Sequence, residues 1–196
     1  MKNTSGSWPL GRVSKGSQSS VRSEVLDIAR LVVFGALAVA LHAATRRRLE
    51  LGPGHQGLTW IALLMIGRLT SSRRWAGATA ALGAAGATFL PIWRLGDPFL
   101  WIEYLTAGIT VDVSYGTFSG WRDKPWVLVL LGGFAHLTKP LLRLVITGFS
   151  GWRYESLIAG LPYPLTTHFV FGTLGALIGT TLIRARRYGR SQKPYR

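Results

Sequence analysis

Between Ser156 and Ile183 the chain carries no Asp, Glu, Lys or Arg, and five further apolar stretches precede that run. They fall near Leu31–Thr45, Leu51–Gly67, Trp75–Trp93, Phe99–Phe118 and Pro125–Thr147. Nearly all hydrophobic residues sit in these six segments, while Lys and Arg crowd into the ends and alternate links. A helix of about 20 apolar residues spans a bilayer. Six such segments in 196 residues leave too little polar sequence to cover a bundle in water. The expected fold is an all-α integral membrane protein, a six-transmembrane-helix bundle solvated by lipid. The last three stretches are long enough to cross fully, and the second needs its ends to snorkel. Residues 1–22 read as a basic tail, disordered or lying on headgroups, residues 23–187 as the membrane domain, and residues 188–196 as a second basic tail.

A formal net charge of +15 in a soluble protein would suggest nucleic acid, but here the charges follow the links. With the N-terminus in the cytoplasm, the inner side gathers Lys2, Arg12, Lys15, Arg22 and Arg30, then Arg68, Arg73 and Arg74, then Arg122 and Lys124, and finally Arg184, Arg186, Arg187, Arg190, Lys193 and Arg196. That is most of the 23 cations, so the positive-inside bias puts both termini in the cytoplasm and excludes nucleic acid as the expected partner. Only Arg46, Arg47 and Arg48 argue against it. A basic leader, an apolar run and Ala38-Val39-Ala40 also fit a cleavable signal peptide, though the leader is long for one. The absence of cysteine excludes disulfides, thiolate metal sites and a Cys nucleophile.

The inner links are short. Ser71-Ser72-Arg73-Arg74 is a tight turn, and Gly120 to Pro125 ends one span and opens the next with Pro at a helix start. The outer links, Glu50 to Gly57, Arg94 to Pro98 and Thr147 to Tyr154, mix Gly and Pro with aromatic and ionisable residues, which suggests loops that close over a ligand from outside. All four histidines, His42, His55, His136 and His168, fall toward that same side, either as site groups or as interfacial residues bonded to water and headgroups.

His136, Lys139 and Arg143 share one helical face, with Pro140 freeing a carbonyl at the same depth. Such a stripe would bind a carboxylate or phosphate; alternatively the helix ends near Thr138 and the cations reach the headgroups. Glu103 and Asp112 are the acids placed in an apolar run. Glu103 is expected to pair with Lys139 or Arg143 or to hold a cationic part of a ligand, and Asp112 to accept from a neighbouring helix. Trp60, Trp101, Tyr104 and Trp152 are candidates for stacking on a flat ring, or for an interfacial belt. The ligand set expected is His55, Trp101, Glu103, His136, Lys139, Arg143 and His168. Small residues recur at interface spacing in Ala36, Ala40 and Ala44 and in Gly172, Gly175, Ala176 and Gly179, where packing within the bundle is the simpler explanation.

In length, span count, the Ala36-xxx-Ala40 pattern and the segment from His168 to Gly179, the chain resembles the substrate-binding S components of energy-coupling factor transporters, over about Val25 to Arg187. The resemblance implies a multi-pass protein of a bacterial or archaeal cytoplasmic membrane, whose first-helix alanines Ala36, Ala40 and Ala44 dock on a transmembrane coupling subunit driven by paired ATPases. It also implies a vitamin-like molecule or a metal ion bound near the outer face under loops one, three and five. The chain has no Gly-rich loop followed by Lys-Ser/Thr, so it would be no enzyme itself and ATP would be used by the partners.

No resident cofactor and no metal site are expected. The imidazoles with Glu103 offer a transition-metal alternative, but they lack paired ligand spacing and a cationic stripe beside them opposes a dication, so an anionic or zwitterionic organic ligand ranks above it. A last alternative is a rhomboid-like intramembrane serine protease. Gly148-Phe149-Ser150-Gly151 spells its Gly-x-Ser-Gly, with Ser150 and His168 as nucleophile and base, although Ser150 falls after the fifth stretch rather than at the start of the fourth. Reporter fusions at the two ends check the orientation. Both should report the cytoplasm, and either end found outside overturns it.

Overall fold

The computed structural model describes residues 15–48, 53–158 and 160–191. Six α-helices run through them: α1 Lys15–Arg48, α2 Gly57–Thr70, α3 Ala76–Thr88, α4 Leu100–Thr117, α5 Pro125–Ser150 and α6 Pro162–Ser191. Three single 3-10 turns, Pro91–Trp93, Ser119–Trp121 and Glu155–Leu157, lie in the links. The outermost tail residues and Glu50-Leu51-Gly52 of the first outer link lie outside the described residues.

Local chemistry sets the breaks. The α2 helix stops where Ser71 turns extended, with the Ser71 N–H still donating to Gly67. Pro125 opens α5, where its missing N–H costs nothing, and Gly151 closes it at φ 70°, a left-handed conformation that favours glycine. The α5 helix continues through Pro140 to Ser150, so it does not end near Thr138.

The helices close into a ring in the order α1, α3, α4, α5, α6, α2, with α2 also touching α3 and α5 from within. Their meeting faces are small. A Cβ at Gly35 would collide with the Ala80 carbonyl, and one at Gly175 with the Gly57 carbonyl, so α1 approaches α3 and α6 approaches α2 at backbone distance. Gly172, Ala176 and Gly179 face α5 or α2 in the same way, so the small-residue pattern of α6 is spent inside the bundle. Ala36 and Ala40 are half-buried and Ala44 is exposed.

Outside the ring the surface is apolar. Val25, Val33 and Leu37 on α1, Leu130, Phe134 and Leu144 on α5, and Val170, Leu177 and Leu182 on α6 are all exposed. A stripe of that extent is a lipid or partner surface. Among the described residues three segments are long and apolar enough to cross a membrane, Val21–Thr45, Pro125–Ser150 and Pro162–Gly189, which suggests a multi-pass membrane protein.

Two expectations change. The first helix is among the long spans because it begins well before Leu31, inside the segment expected as a tail. The fourth is not, since its 18 residues include Glu103, Asp112 and several hydroxyl groups that lower its hydropathy. The α2 and α3 helices, of 14 and 13 residues, rise only about 20 Å.

The tight seam between α2 and α6 predicts that Gly175→Ala lowers the melting temperature of the detergent-solubilised protein, by an overpacking cost of about 1–3 kcal/mol. Gly116→Ala, where an added methyl meets nothing within 4 Å, should leave it unchanged or slightly raised.

Candidate ligand-binding site

At one end of the bundle a cavity of about 610 Å³ opens beneath three links. Pro53 to Gln56 wall it from the first outer link, Leu95 to Asp97 from the second, and Trp152 to Ser156 from the third. His42 of α1, Leu100 of α4, Lys139 and Arg143 of α5, and Tyr163 and His168 of α6 complete it. Directly below lies a narrow space of about 10 Å³ lined by Gln56, Trp60, Glu103, Tyr104, His136 and Lys139.

The floor is an ionic cluster. Glu103 is almost fully buried and accepts from Arg143 through Nε at 2.6 Å and Nη2 at 3.2 Å, in fork geometry, while Lys139 Nζ stands 3.0 Å from its Oε2. Glu103 thus pairs with both of the cations expected as its alternatives, and Lys139 and Arg143 share one carboxylate across the α4–α5 interface. Arg143 also reaches the third link, donating to Ser156 Oγ at 3.2 Å and lying 4.8 Å from the Tyr154 ring centroid. Its Nη2 is 3.9 Å from Asp97 Oδ2. Burial pushes the Asp97 carboxyl above its ordinary value, against the Phe99 N–H that donates to it, and Glu103 pushes the same way. Burial likewise raises the Tyr154 phenol, helped by Asp97.

A directed hydrogen-bond chain leaves the same cluster. An ammonium can only donate, so Lys139 donates to Gln56 Oε1, which turns the Gln56 amide toward His42 Nε2 at 2.6 Å. His42 Nε2 then accepts, and its Nδ1–H donates to the Tyr104 hydroxyl at 2.9 Å. Tyr104 meets Trp60 edge to face, with centroids 5.0 Å apart.

His136 Nε2–H donates to the Gly54 carbonyl at 3.1 Å, and His168 Nδ1–H to the Pro164 carbonyl at 2.7 Å, since a carbonyl only accepts. Their rings lie 4.9 Å apart. Gly54, at φ 89°, passes so close to the His168 backbone that a side chain would not fit, which holds the first link against α6.

Of the residues expected from sequence, His55, Lys139, Arg143 and His168 line the cavity, and Glu103 and His136 stand just beneath it. Trp101 does not line it; its half-buried ring lies 6.4 Å from that of Phe89. Two residues from Glu103 on a helix, Trp101 points about 200° away, so the two cannot face one site. The cavity is also lined by His42, Gln56, Asp97, Tyr154 and Ser156, which are outside the expected ligand set. Their only signal was membership of the outer links, or, for His42, of the group of imidazoles on one side.

Asp112 behaves as the neighbouring-helix acceptor expected of it. It takes the Gly77 and Ala78 N–H groups at the start of α3 at 2.9 and 2.7 Å and pairs with Arg68 at 3.4 Å. Ser150 donates to the Ile146 carbonyl at 2.7 Å and closes the end of α5, while His168 is turned to Pro164. Among the described residues no group of three or more His, Asp or Glu is arranged to hold a metal ion. Compared with protein-family models, with characterised proteins and with solved structures, the chain matches none.

Glu103→Gln leaves two buried cations facing a neutral amide, a loss of about 3–5 kcal/mol by analogy with other broken buried pairs. The expected result is a large drop in melting temperature, partly recovered when Lys139→Met is added. A melting temperature within a degree or two of wild type would mean that the cluster is not buried as described.

Proposed function

We propose that this chain is the substrate-capture subunit of an energy-coupling factor type importer, holding a small vitamin-like, anionic or zwitterionic molecule at its outer face. The observation that carries the reading is the cavity roofed by the first, second and third outer links over Lys139 and Arg143. A volume of about 610 Å³ suits a vitamin-sized ligand. Trp152, Tyr154 and Tyr163 offer apolar faces around polar groups, the composition by which small organic molecules are oriented.

In this reading the six helices span a bacterial or archaeal cytoplasmic membrane with both termini inside. The cavity then faces outward and most of the Lys and Arg face the cytoplasm. The chain captures the molecule and itself hydrolyses nothing. Loops close over the ligand, and the body reorients against a transmembrane coupling subunit, with the half-buried Ala36 and Ala40 and the exposed Ala44 as the contact face and paired ATPases supplying the energy. The metal alternative gains nothing from the imidazoles, since among the described residues no group of three or more His, Asp or Glu is arranged to hold a metal ion. The protease alternative lacks the Ser–His contact it would need, with Ser150 bonded to its own helix.

Native mass spectrometry of the gently solubilised protein tests the proposal. Wild type should carry a small organic molecule that is lost in Arg143→Ala and depleted in His136→Ala. An equal complement in wild type and both variants would remove this site from the reading.

A further inference from the structure

Resting on the capture reading, the charges around the cavity narrow the class of molecule it holds. Lys139, Arg143 and Arg153 line it, and so do Asp97 and Glu155, while Glu103 stands immediately behind the first two cations. Three positive groups thus meet three carboxylates, and the stripe on α5 is not a bare anion cradle. A free anion would have to displace Glu103 from a two-point fork with Arg143, or share the cations with it at close range. Like charges that close are strongly disfavoured away from water.

Unused bonding capacity lies on both sides of the balance. Lys139 spends two of its three donors on Glu103 and Gln56. Asp97 gives Oδ1 to the Phe99 N–H and the Tyr154 hydroxyl, and among the described residues no hydrogen bond reaches its Oδ2, which faces Arg143 only at 3.9 Å. Beside Asp97 stands Tyr154, whose ring already carries the Arg143 guanidinium at 4.8 Å, and Trp152 lines the same cavity. A donor group and an acceptor group therefore sit next to each other in one cavity, with Arg143 and Asp97 3.9 Å apart.

We infer that the molecule held here is a zwitterion of no net charge. Its acidic group meets Lys139 and Arg143, and its amine or other cationic nitrogen meets the neighbouring Asp97. Such a ligand adds a positive charge beside a carboxylate oxygen that accepts no hydrogen bond among the described residues and a negative charge where the site has a spare donor.

Asp97→Asn separates this class from a net anion by the sign of its effect. The asparagine oxygen still accepts the Phe99 N–H, so the link keeps its turn. The probe is the molecule extracted from purified wild-type protein, its mass and net charge determined at pH 7 and its binding to each variant measured by titration. A zwitterion whose affinity falls about tenfold in Asp97→Asn supports the inference. A net anion, or tighter binding in Asp97→Asn because a repelling charge has gone, overturns it and leaves the capture reading standing. A wild-type preparation that carries no small molecule overturns both. The charge of the extracted molecule needs no variant, so a misfolded Asp97→Asn does not spoil the test.

Discussion

One buried carboxylate, Glu103, is shared by Lys139 and Arg143, and the architecture of the outer end follows from it. Two cations from α5 enter the low-dielectric interior only because α4 brings a compensating charge to within 3.2 Å of both. From there each cation reaches a different link. Lys139 engages Gln56 of the first, and Arg143 engages Asp97 of the second and Ser156 of the third. The cluster is thus both the floor of the cavity and the post to which its walls are tied.

The other end is organised differently. Asp112 takes two N–H groups at the start of α3 and pairs with Arg68, which in turn donates to the carbonyls of Arg73 and Arg74 and packs on the Tyr115 ring. Arg68 thus ties a carboxylate on α4 to the backbone of the turn that opens α3. It is a joint between elements, while the outer cluster leaves donors and an acceptor directed into a cavity.

Much of this was legible from residue spacing. His136, Lys139 and Arg143 had to share a face if α5 was helical, and Glu103 needed a cation because an unpaired carboxylate in an apolar run is costly. The glycines of α6 announced close packing, and α2 and α5 are the helices that take it up. Trp101 misled because an aromatic next to a key acid in sequence lies on another side of the helix. Gln56, Asp97 and Tyr154 gave little signal because loops have no period, so nothing in their order says which way a side chain turns.

The amino-acid sequence by itself determined that the chain is helical, apolar on its outside and basic in its tails and alternate links, since those properties depend on composition and period alone. It also determined which face of α5 would carry charge. Only the tertiary structure decided that both cations close on one carboxylate, that His42 is linked to them through Gln56, and that three separate links roof one cavity. Those outcomes depend on how six helices order themselves around a ring, and that order is set by glycine-sized contacts between segments far apart in the chain, which no local pattern encodes.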